Sequence, residues 1–268
     1  MENKTLYCIG DSHASFFSGT NSIQPSWPLQ ARNVIPSFTS FRLGAVLAYS
    51  LPDLGTKTQG REKLFEVLST LPEKSSILMC FGEIDCRVHL VKQAEQQHRP
   101  LKNVVEECVE RYVHVLQELQ PHFHVSVWGV VPSTPSEEII DARYPHYGTH
   151  IERNTATKIF NEHLRVLCQQ KNIPFISIFN ELTHNDASTN PKYFSDKVHL
   201  SQRAMPLAVR QIHAVLPNIP IRLFNNNLVH LPLSWALPLF TIRCEINTFC
   251  YYYYKFLKQV AKKILRRA

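Results

Sequence analysis

The sequence predicts an α/β fold: a three-layer α/β/α sandwich with a mainly parallel sheet over residues 1–217, followed by a helical, basic C-terminal extension over residues 218–268. Segments typical of strands alternate along the chain with segments of helical spacing. The strand segments are continuous apolar runs, which is the pattern of parallel strands covered by helices on both faces. No repeat of fixed period and no Gly/Ser-rich linker divides residues 1–217, so we expect one domain there.

Apolar runs predict the strands, and the second run is the weakest of them. The runs lie at residues 5–9, 34–38, 77–81, 124–132 and 173–179. Apolar residues at helical spacing predict helices over residues 61–71, 101–119, 153–171 and 199–216. Pro72 and Pro121 end the first two helices, and Ser201 is a candidate N-cap of the last. The polar stretches 135–150 and 180–196 are predicted as loops.

Composition and charge argue against disorder and against nucleic-acid binding. The chain is 44% hydrophobic and 19% charged, which is enough apolar material for a sizeable core. The net charge is +7, and the segment from Tyr251 to Ala268 contributes +6 because it has no acidic residue. Since the rest of the chain is close to neutral, no nucleic-acid partner is expected.

The 7 cysteines do not suggest a disulfide or metal framework. An odd number without a C-x-x-C pair favours reduced thiols. Cys86 and His89 are near enough in sequence to ligate a metal, but two ligands without a second pair are a weak signal. We therefore expect no metal and no cofactor. The N-terminal residues lack the basic head and apolar segment of a secretory signal, which predicts a cytoplasmic protein, or one peripheral to a membrane.

Three short stretches follow predicted strands or precede the last helix: "GDSH" at residues 10–13, "FGEIDCRVH" at 81–89 and "SDKVHLS" at 195–201. A serine hydroxyl becomes a nucleophile when a base takes its proton, and histidine suits that task near neutral pH. Asp196, three residues before His199, can reach one ring nitrogen while the other faces Ser12. The alternative for the first stretch is an ordinary turn in which Ser12 caps a helix.

These stretches resemble the sequence blocks of the SGNH (GDSL-like) hydrolases. Gly10-Asp11-Ser12 is similar to the first block, Gly44 to the glycine of the second, and Asp196-Lys197-Val198-His199 to the final Asp-x-x-His. Gly82-Glu83-Ile84-Asp85 stands at the place of the third block, Gly-x-Asn-Asp. The resemblance implies a three-layer sandwich and an ester substrate. It also implies that Ser12 is the nucleophile, His199 the base and later the acid, and Asp196 the residue that orients the histidine.

The resemblance further implies an oxyanion hole formed by the backbone N–H groups of Ser12 and Gly44. The third donor of the family is the Asn side chain of the third block, and Ile84 cannot replace it. Arg87, three residues later, is a hypothetical substitute donor. We expect the other polar residues of these blocks to support the site. They are Asp11, which caps or braces its loop, and His13, which touches substrate, is structural or is exposed. Gly82, Glu83 and Asp85 complete the set, and the two acids form a carboxylate pair, satisfy backbone N–H groups or pair with Arg87.

The C-terminal extension predicts an amphipathic helix. Its apolar run over residues 228–242 is interrupted by Pro232 and Pro238, so it is too short and broken for a transmembrane helix. Phe256, Leu257, Val260, Ala261, Ile264 and Leu265 share one helical face, away from the six basic residues. Four tyrosines precede this face. The pattern is typical of a helix lying on an anionic membrane surface, and a helix docked on its own domain is the alternative.

The sequence therefore predicts a serine ester hydrolase that removes an acyl or acetyl group from an O-ester on a glycan, a lipid or a small molecule. If another hydroxyl replaces water as the acceptor, the protein is an O-acyltransferase. Two alternatives remain open at this point. One is an SGNH-like binding module that Ile84 has weakened as a catalyst, and the other is a peripheral membrane protein whose tail carries the function.

Overall fold

The structure is a computed structural model that describes residues 5–134, 144–184, 188–224 and 232–265, with the backbone alone in residues 262–265. Its strands are β1 (Leu6–Gly10), β2 (Phe38–Arg42), β3 (Ser76–Cys80), β4 (His124–Trp128) and β5 (Phe175–Ile176). Its α-helices are α1 (Gly60–Ser69), α2 (Leu90–Gln96), α3 (Leu101–Leu119), α4 (His150–Gln170), α5 (Met205–Val215) and α6 (Leu233–Leu265). A 3-10 helix (Ser12–Ser18) follows β1, and a π-helical turn (Asp85–His89) leads into α2.

The five strands form one parallel sheet in the order β2-β1-β3-β4-β5. Alternate side chains of each strand enter different cores, because successive residues of a strand point to opposite faces. In β1, Tyr7 and Ile9 pack with α1, α3 and α4, whereas Leu6 and Cys8 pack with α5 and α6. The fold is therefore the predicted three-layer α/β/α sandwich.

The second strand differs from its prediction. It runs over Phe38–Arg42 and pairs with β1 from Leu6↔Phe38 to Gly10↔Arg42, so it begins where residues 34–38 were predicted to end. Pro36 has no N–H to give to a sheet ladder, and "FTSFR" has only two apolar residues among its five. A strand with so few apolar residues suits the edge of the sheet, where the strand order places β2.

The C-terminal extension contains a helix longer than its sequence pattern predicted. Helix α6 begins at Leu233 and continues through Pro238 to Leu265. Because Pro238 lies close to the start of the helix, its missing N–H removes a hydrogen bond only near that end. The first half of α6 packs into the second core through Ala236, Leu237, Phe240 and Cys244. Within the described ranges, no helix has the combined length and hydropathy that crossing a membrane requires.

Candidate active site

The carboxyl ends of β1 and β3 carry the polar residues of the site. Ser12 follows β1 closely, and Glu83 follows β3 in the same way. The chain leaves β1 toward β2 on one side and returns to β3 on the other, and such a reversal opens a crevice in α/β sheets. Asp196 and His199 reach this crevice from the loop that precedes α5.

The structure brings Ser12, His199 and Asp196 into one hydrogen-bonded row. The Nε2 atom of His199 is 2.8 Å from Oγ of Ser12, and its Nδ1 atom is 2.9 Å from Oδ2 of Asp196. An ionised carboxylate only accepts hydrogen bonds, so Nδ1 of His199 carries the proton that is donated to Asp196. Nε2 is then free to accept the hydroxyl proton of Ser12.

A tight loop fixes the two members of the row that come from the same segment. Oδ1 of Asp196 accepts the backbone N–H groups of Val198 and His199, at 2.7 and 2.6 Å. The base of the loop is closed by a bridge between Phe194 and Leu200. With the Asp-x-x-His spacing, both carboxylate oxygens of Asp196 are used. Oδ1 stabilises the backbone turn, and Oδ2 orients the imidazole of His199.

Burial and hydrogen bonding shift both titrating groups of this loop. Burial lowers the pKa of His199, and the adjacent carboxylate of Asp196 opposes this effect only in part. Burial tends to raise the pKa of Asp196, but hydrogen bonds from His199 and from the backbone outweigh it and lower the pKa to about 2. Near neutral pH the row thus contains a neutral imidazole and a charged carboxylate, which is the state a general base requires.

A second polar array lies behind the first. His13 is buried, and its Nε2 lies 3.3 Å from Oε2 of Glu83, an ion pair when His13 is protonated. Oε1 of Glu83 accepts a hydrogen bond of 2.7 Å from Nε of Arg87, whose Nη1 donates to the carbonyl of Pro145. Burial raises the pKa of the Glu83 carboxyl, but Arg87 and His13 outweigh it and hold that pKa well below its usual range. Glu83 is therefore a buried, charged link between His13 and Arg87.

Asp11 caps the 3-10 helix that carries Ser12. Its Oδ1 accepts the backbone N–H of His13 at 2.8 Å, and its own N–H donates to the carbonyl of Cys80 at 3.2 Å. Burial raises the pKa of Asp11 to about 7. The residue thus joins the start of this helix to the end of β3.

Asp85 holds the segment after β2 against the end of β3. Its two carboxylate oxygens accept the backbone N–H groups of Ala48 and Tyr49, at 2.8 and 3.1 Å. Gly44 lies in the same segment with φ +107°, a backbone conformation that favours glycine. The two acids of the third block therefore have separate roles: Asp85 satisfies backbone groups, and Glu83 pairs with charged side chains.

Gly82 and Ile84 stand beside Glu83 in this block. Gly82 has φ +108°, and a Cβ there would lie 2.7 Å from Cζ of Phe160, so the turn after β3 requires glycine. Ile84 lines the crevice with an aliphatic side chain, where the family pattern has an amide.

The crevice is a cavity of about 1060 Å³. Ser12, Gly44, Glu83, Arg87 and Asp196 line it, whereas Asp11, His13, Gly82, Asp85 and His199 are not among the described lining residues. The expected site residues thus divide into a group that faces the cavity and a group beneath it.

Sequence reasoning missed three residues of this site. The ring of Tyr144 lies edge-on to that of His199, with centroids 5.0 Å apart, although Tyr144 belongs to a stretch without any periodicity. Tyr251 and Lys255 of α6 line the cavity, so the C-terminal extension contributes to its wall. No local sequence pattern predicts these contacts, because each of them joins residues that are far apart in sequence.

All seven cysteines are free thiols, and six of them are buried. Over the ranges that the structure describes, no three His, Cys, Asp or Glu side chains gather as metal ligands. Cys86, the residue considered with His89, is buried, and burial raises its thiol pKa well above the ordinary value.

No protein-family model matches the chain, and no curated protein sequence matches it. Solved structures do match. A carbohydrate acetylesterase family member from Sinorhizobium meliloti is 17% identical, with a TM-score of 0.51 over 80% of this chain and 98% of that one. A protein assigned as an acylhydrolase from Bacteroides fragilis is 15% identical, with a TM-score of 0.50 over 82% and 90% of the two chains. A protein assigned as lipolytic, of the G-D-S-L family, from Desulfitobacterium hafniense is also similar, with 17% identity and a TM-score of 0.49 over 80% and 100%.

Because the sequence identities are so low, these matches are evidence for the fold alone. The two with TM-scores of 0.50 and 0.51 agree with the parallel sheet and its helical layers. The chain has the three-layer fold of the SGNH-type (GDSL-like) hydrolases.

Proposed function

We propose that the protein is a serine ester hydrolase that removes an acyl or acetyl group from an O-ester. The observation that carries this proposal is the row of hydrogen bonds from Asp196 through His199 to Ser12, at 2.9 and 2.8 Å. Its position at the carboxyl end of β1, on the wall of a cavity of about 1060 Å³, gives a substrate access to the serine.

In the proposed reaction, Oγ of Ser12 bonds to the ester carbonyl carbon while its proton passes to Nε2 of His199. The carbon–oxygen bond to the alcohol then breaks, and the leaving oxygen takes the proton from His199. Water attacks the acyl-serine in the same way, giving up its proton to Nε2 of His199. That proton returns to Oγ of Ser12 as the carboxylic acid departs.

Asp196 keeps the imidazole in the useful tautomer and stabilises its cationic form. This role follows from its acceptor atoms. Oδ2 can only accept from Nδ1 of His199, while Oδ1 is occupied by two backbone N–H groups. The carboxylate therefore cannot swing away from the ring without losing the turn of its own loop.

The developing oxyanion needs hydrogen-bond donors, each worth on the order of 3 kcal/mol. We propose the backbone N–H groups of Ser12 and Gly44 as two of them. Within the described ranges, the N–H of Gly44 donates to no protein acceptor. Arg87 is the proposed third donor, since it lines the cavity and Glu83 and Pro145 engage its Nε and Nη1 atoms. Its Nη2 has no acceptor among the residues described.

For the substrate we propose the type of bond that is cleaved, which is an O-acyl ester on a glycan, a lipid or a small molecule. The similar structure whose name refers to carbohydrate acetylesterases supports an acetyl ester among these. Water is the proposed acceptor. If a second hydroxyl takes the acyl group instead, a product ester forms in place of free acid, and product analysis separates the two reactions.

A fluorophosphonate probe, which labels activated serines, tests the proposal directly. We expect the native protein to be labelled and Ser12→Ala and His199→Ala to remain unlabelled, with loss of hydrolysis of p-nitrophenyl acetate. Ser22→Ala is the matched control, because Ser22 also lines the cavity but lies outside the hydrogen-bonded row. Absence of labelling in the native protein would favour a binding module without catalysis, an alternative that Ile84 motivates. Labelling of Ser12→Ala would reject the assignment of the nucleophile.

A further inference from the structure

Helix α6 has two apolar faces on opposite sides, and only one of them is covered. The inner face enters the second core through Leu237, Phe240 and Cys244, with Thr248 buried one turn later. The outer face is a stripe of eight exposed residues, which we call the outer stripe. They are Trp235, Leu239, Ile242, Ile246, Phe249, Tyr253, Phe256 and Val260.

The outer stripe is regular and long. Its residues are spaced alternately by four and three positions, so they remain on one side of the helix over its whole described length. Their side chains are between 37% and 71% exposed. Single exposed apolar residues are ordinary on a protein surface, but a contiguous stripe of this length marks a surface that binds something.

We propose that the outer stripe of α6 docks on an anionic lipid surface. Four of its eight residues are aromatic, and Trp and Tyr favour the boundary between lipid headgroups and acyl chains. The last 18 residues carry +6 with no acid, which complements an anionic surface. A helix with aromatic and aliphatic residues on one face and lysines on another is typical of helices that lie in the plane of a membrane interface.

Pairing with a second copy of the chain is the rival occupant, since alternating spacings of three and four also describe a coiled-coil seam. Charge argues against it. Two parallel copies would place two +6 segments side by side. In an antiparallel pair, the basic end of one helix would face the first half of the other, where Arg243 and Glu245 cancel. Neither arrangement neutralises the basic segment, whereas an anionic surface does.

The inner side of the same helix is tied to the active-site cavity. Oη of Tyr252 donates to the carbonyl of Phe194, 2.6 Å away, at the base of the loop that carries Asp196 and His199. Tyr251 and Lys255 form part of the cavity wall. A helix is about 10 Å across, so docking through the outer stripe would bring the cavity wall within about that distance of the lipid.

Vesicle co-sedimentation of the full chain tests the proposal. Vesicles are prepared from phosphatidylcholine alone and from equal parts of phosphatidylcholine and phosphatidylglycerol. We expect the native protein to bind the anionic vesicles and to bind the neutral ones more weakly. In the triple variant Ile242→Ser, Phe249→Ser, Phe256→Ser, affinity for the anionic vesicles should fall about 100-fold, because three large apolar side chains no longer enter the interface.

The matched control is Leu29→Ser, Leu54→Ser, Ile151→Ser, which removes three equally exposed aliphatic residues outside α6 and should bind like the native protein. Both triple variants should retain the native thermal unfolding midpoint, since all six side chains are exposed. Native-like binding by the α6 variant, or no binding by the native protein, would overturn the proposal. So would a native dimer in sedimentation velocity that the α6 variant dissociates, because the stripe would then pair with itself. None of these outcomes depends on the proposed esterase activity.

Discussion

The imidazole ring of His13 lies against the ring of His199, with the ring centroids 4.9 Å apart. Burial disfavours a charge on His13, but the Glu83 carboxylate at 3.3 Å prevails and raises the pKa of His13. A protonated His13 in turn lowers the pKa of His199, in the same direction as burial does. The second array thus acts on the proposed base in two opposing ways: a protonated His13 lowers the pKa of His199, and the Glu83 carboxylate raises it.

Replacing His13 should therefore change the pH dependence of hydrolysis. In His13→Gln the positive charge beside His199 is lost, while the Glu83 carboxylate stays and favours an imidazolium. The pKa of His199 should rise. Because the base works only when neutral, the acid limb of kcat/KM should move to higher pH. The profile is measured with a soluble ester across the acid and neutral range.

His122→Gln is the control for this profile. His122 is exposed and precedes β4, so it lies at the amino-terminal edge of the sheet, opposite the edge that carries the cavity. It should leave the acid limb unchanged. A lower rate in His13→Gln without any shift of the limb would mean that His13 supports the fold of the site and does not tune the base.

The sandwich and the contact between Asp196 and His199 could be predicted from local patterns. The helix over residues 101–119 is found as Leu101–Leu119, because its apolar stripe and the prolines on both sides define its ends. Asp196 and His199 could be paired because their contact spans only three residues. The meeting of His199 with Ser12 joins residues 187 positions apart, and only the resemblance to a known order of blocks suggested it.

Other features could not be predicted because tertiary contacts decide them. The edge strand β2 has few apolar residues, and its position follows from pairing with β1. Helix α6 continues through Pro238 because packing into the second core offsets one lost hydrogen bond. The contact of Tyr144 with His199 could not be predicted, because Tyr144 lies in a stretch without helical or strand periodicity.

The third oxyanion donor can be tested by exchanging donors. If Arg87 supplies it, Arg87→Gln should lower kcat about 100-fold, because one charged donor is lost. Ile84→Asn introduces an amide at the position where the SGNH pattern has one. On the Arg87→Gln background it should recover part of kcat, on the order of 10-fold, which a purely structural effect of Arg87 would not allow.

Thermal unfolding of each variant is measured alongside, because Arg87→Gln also removes a partner of the buried Glu83. Ile84→Asn alone should change kcat little if Arg87 already supplies the third donor, as proposed. A large increase in kcat in this single variant would indicate that Arg87 does not fill the role.

Asp85 should stabilise the fold mainly as an acceptor of backbone hydrogen bonds. In Asp85→Ala the backbone N–H groups of Ala48 and Tyr49 lose their acceptors inside the protein. One buried and one partly buried donor left without a protein acceptor cost on the order of 2–4 kcal/mol. The Gly44 segment also loses its anchor, so kcat should fall as well. Urea unfolding measures the first effect. Asp53→Ala, which breaks an exposed ion pair with Arg111, should cost less than about 1 kcal/mol. Equal losses in the two variants would contradict this role.

Asp11 should make the native protein less stable as the pH rises. Its pKa is about 7 in the folded protein because of burial, against about 4 in an unfolded chain, so the folded state binds more protons between these values. Unfolding free energy therefore falls with rising pH in this window and levels off above it. Asp11→Asn removes the titration but keeps an oxygen that can accept the N–H of His13. From about pH 5 to about pH 8, urea unfolding should show the variant gaining on the order of 2–3 kcal/mol relative to the native protein. Asp53→Asn should show no such gain, and a constant difference between Asp11→Asn and the native protein would mean that Asp11 remains ionised when buried.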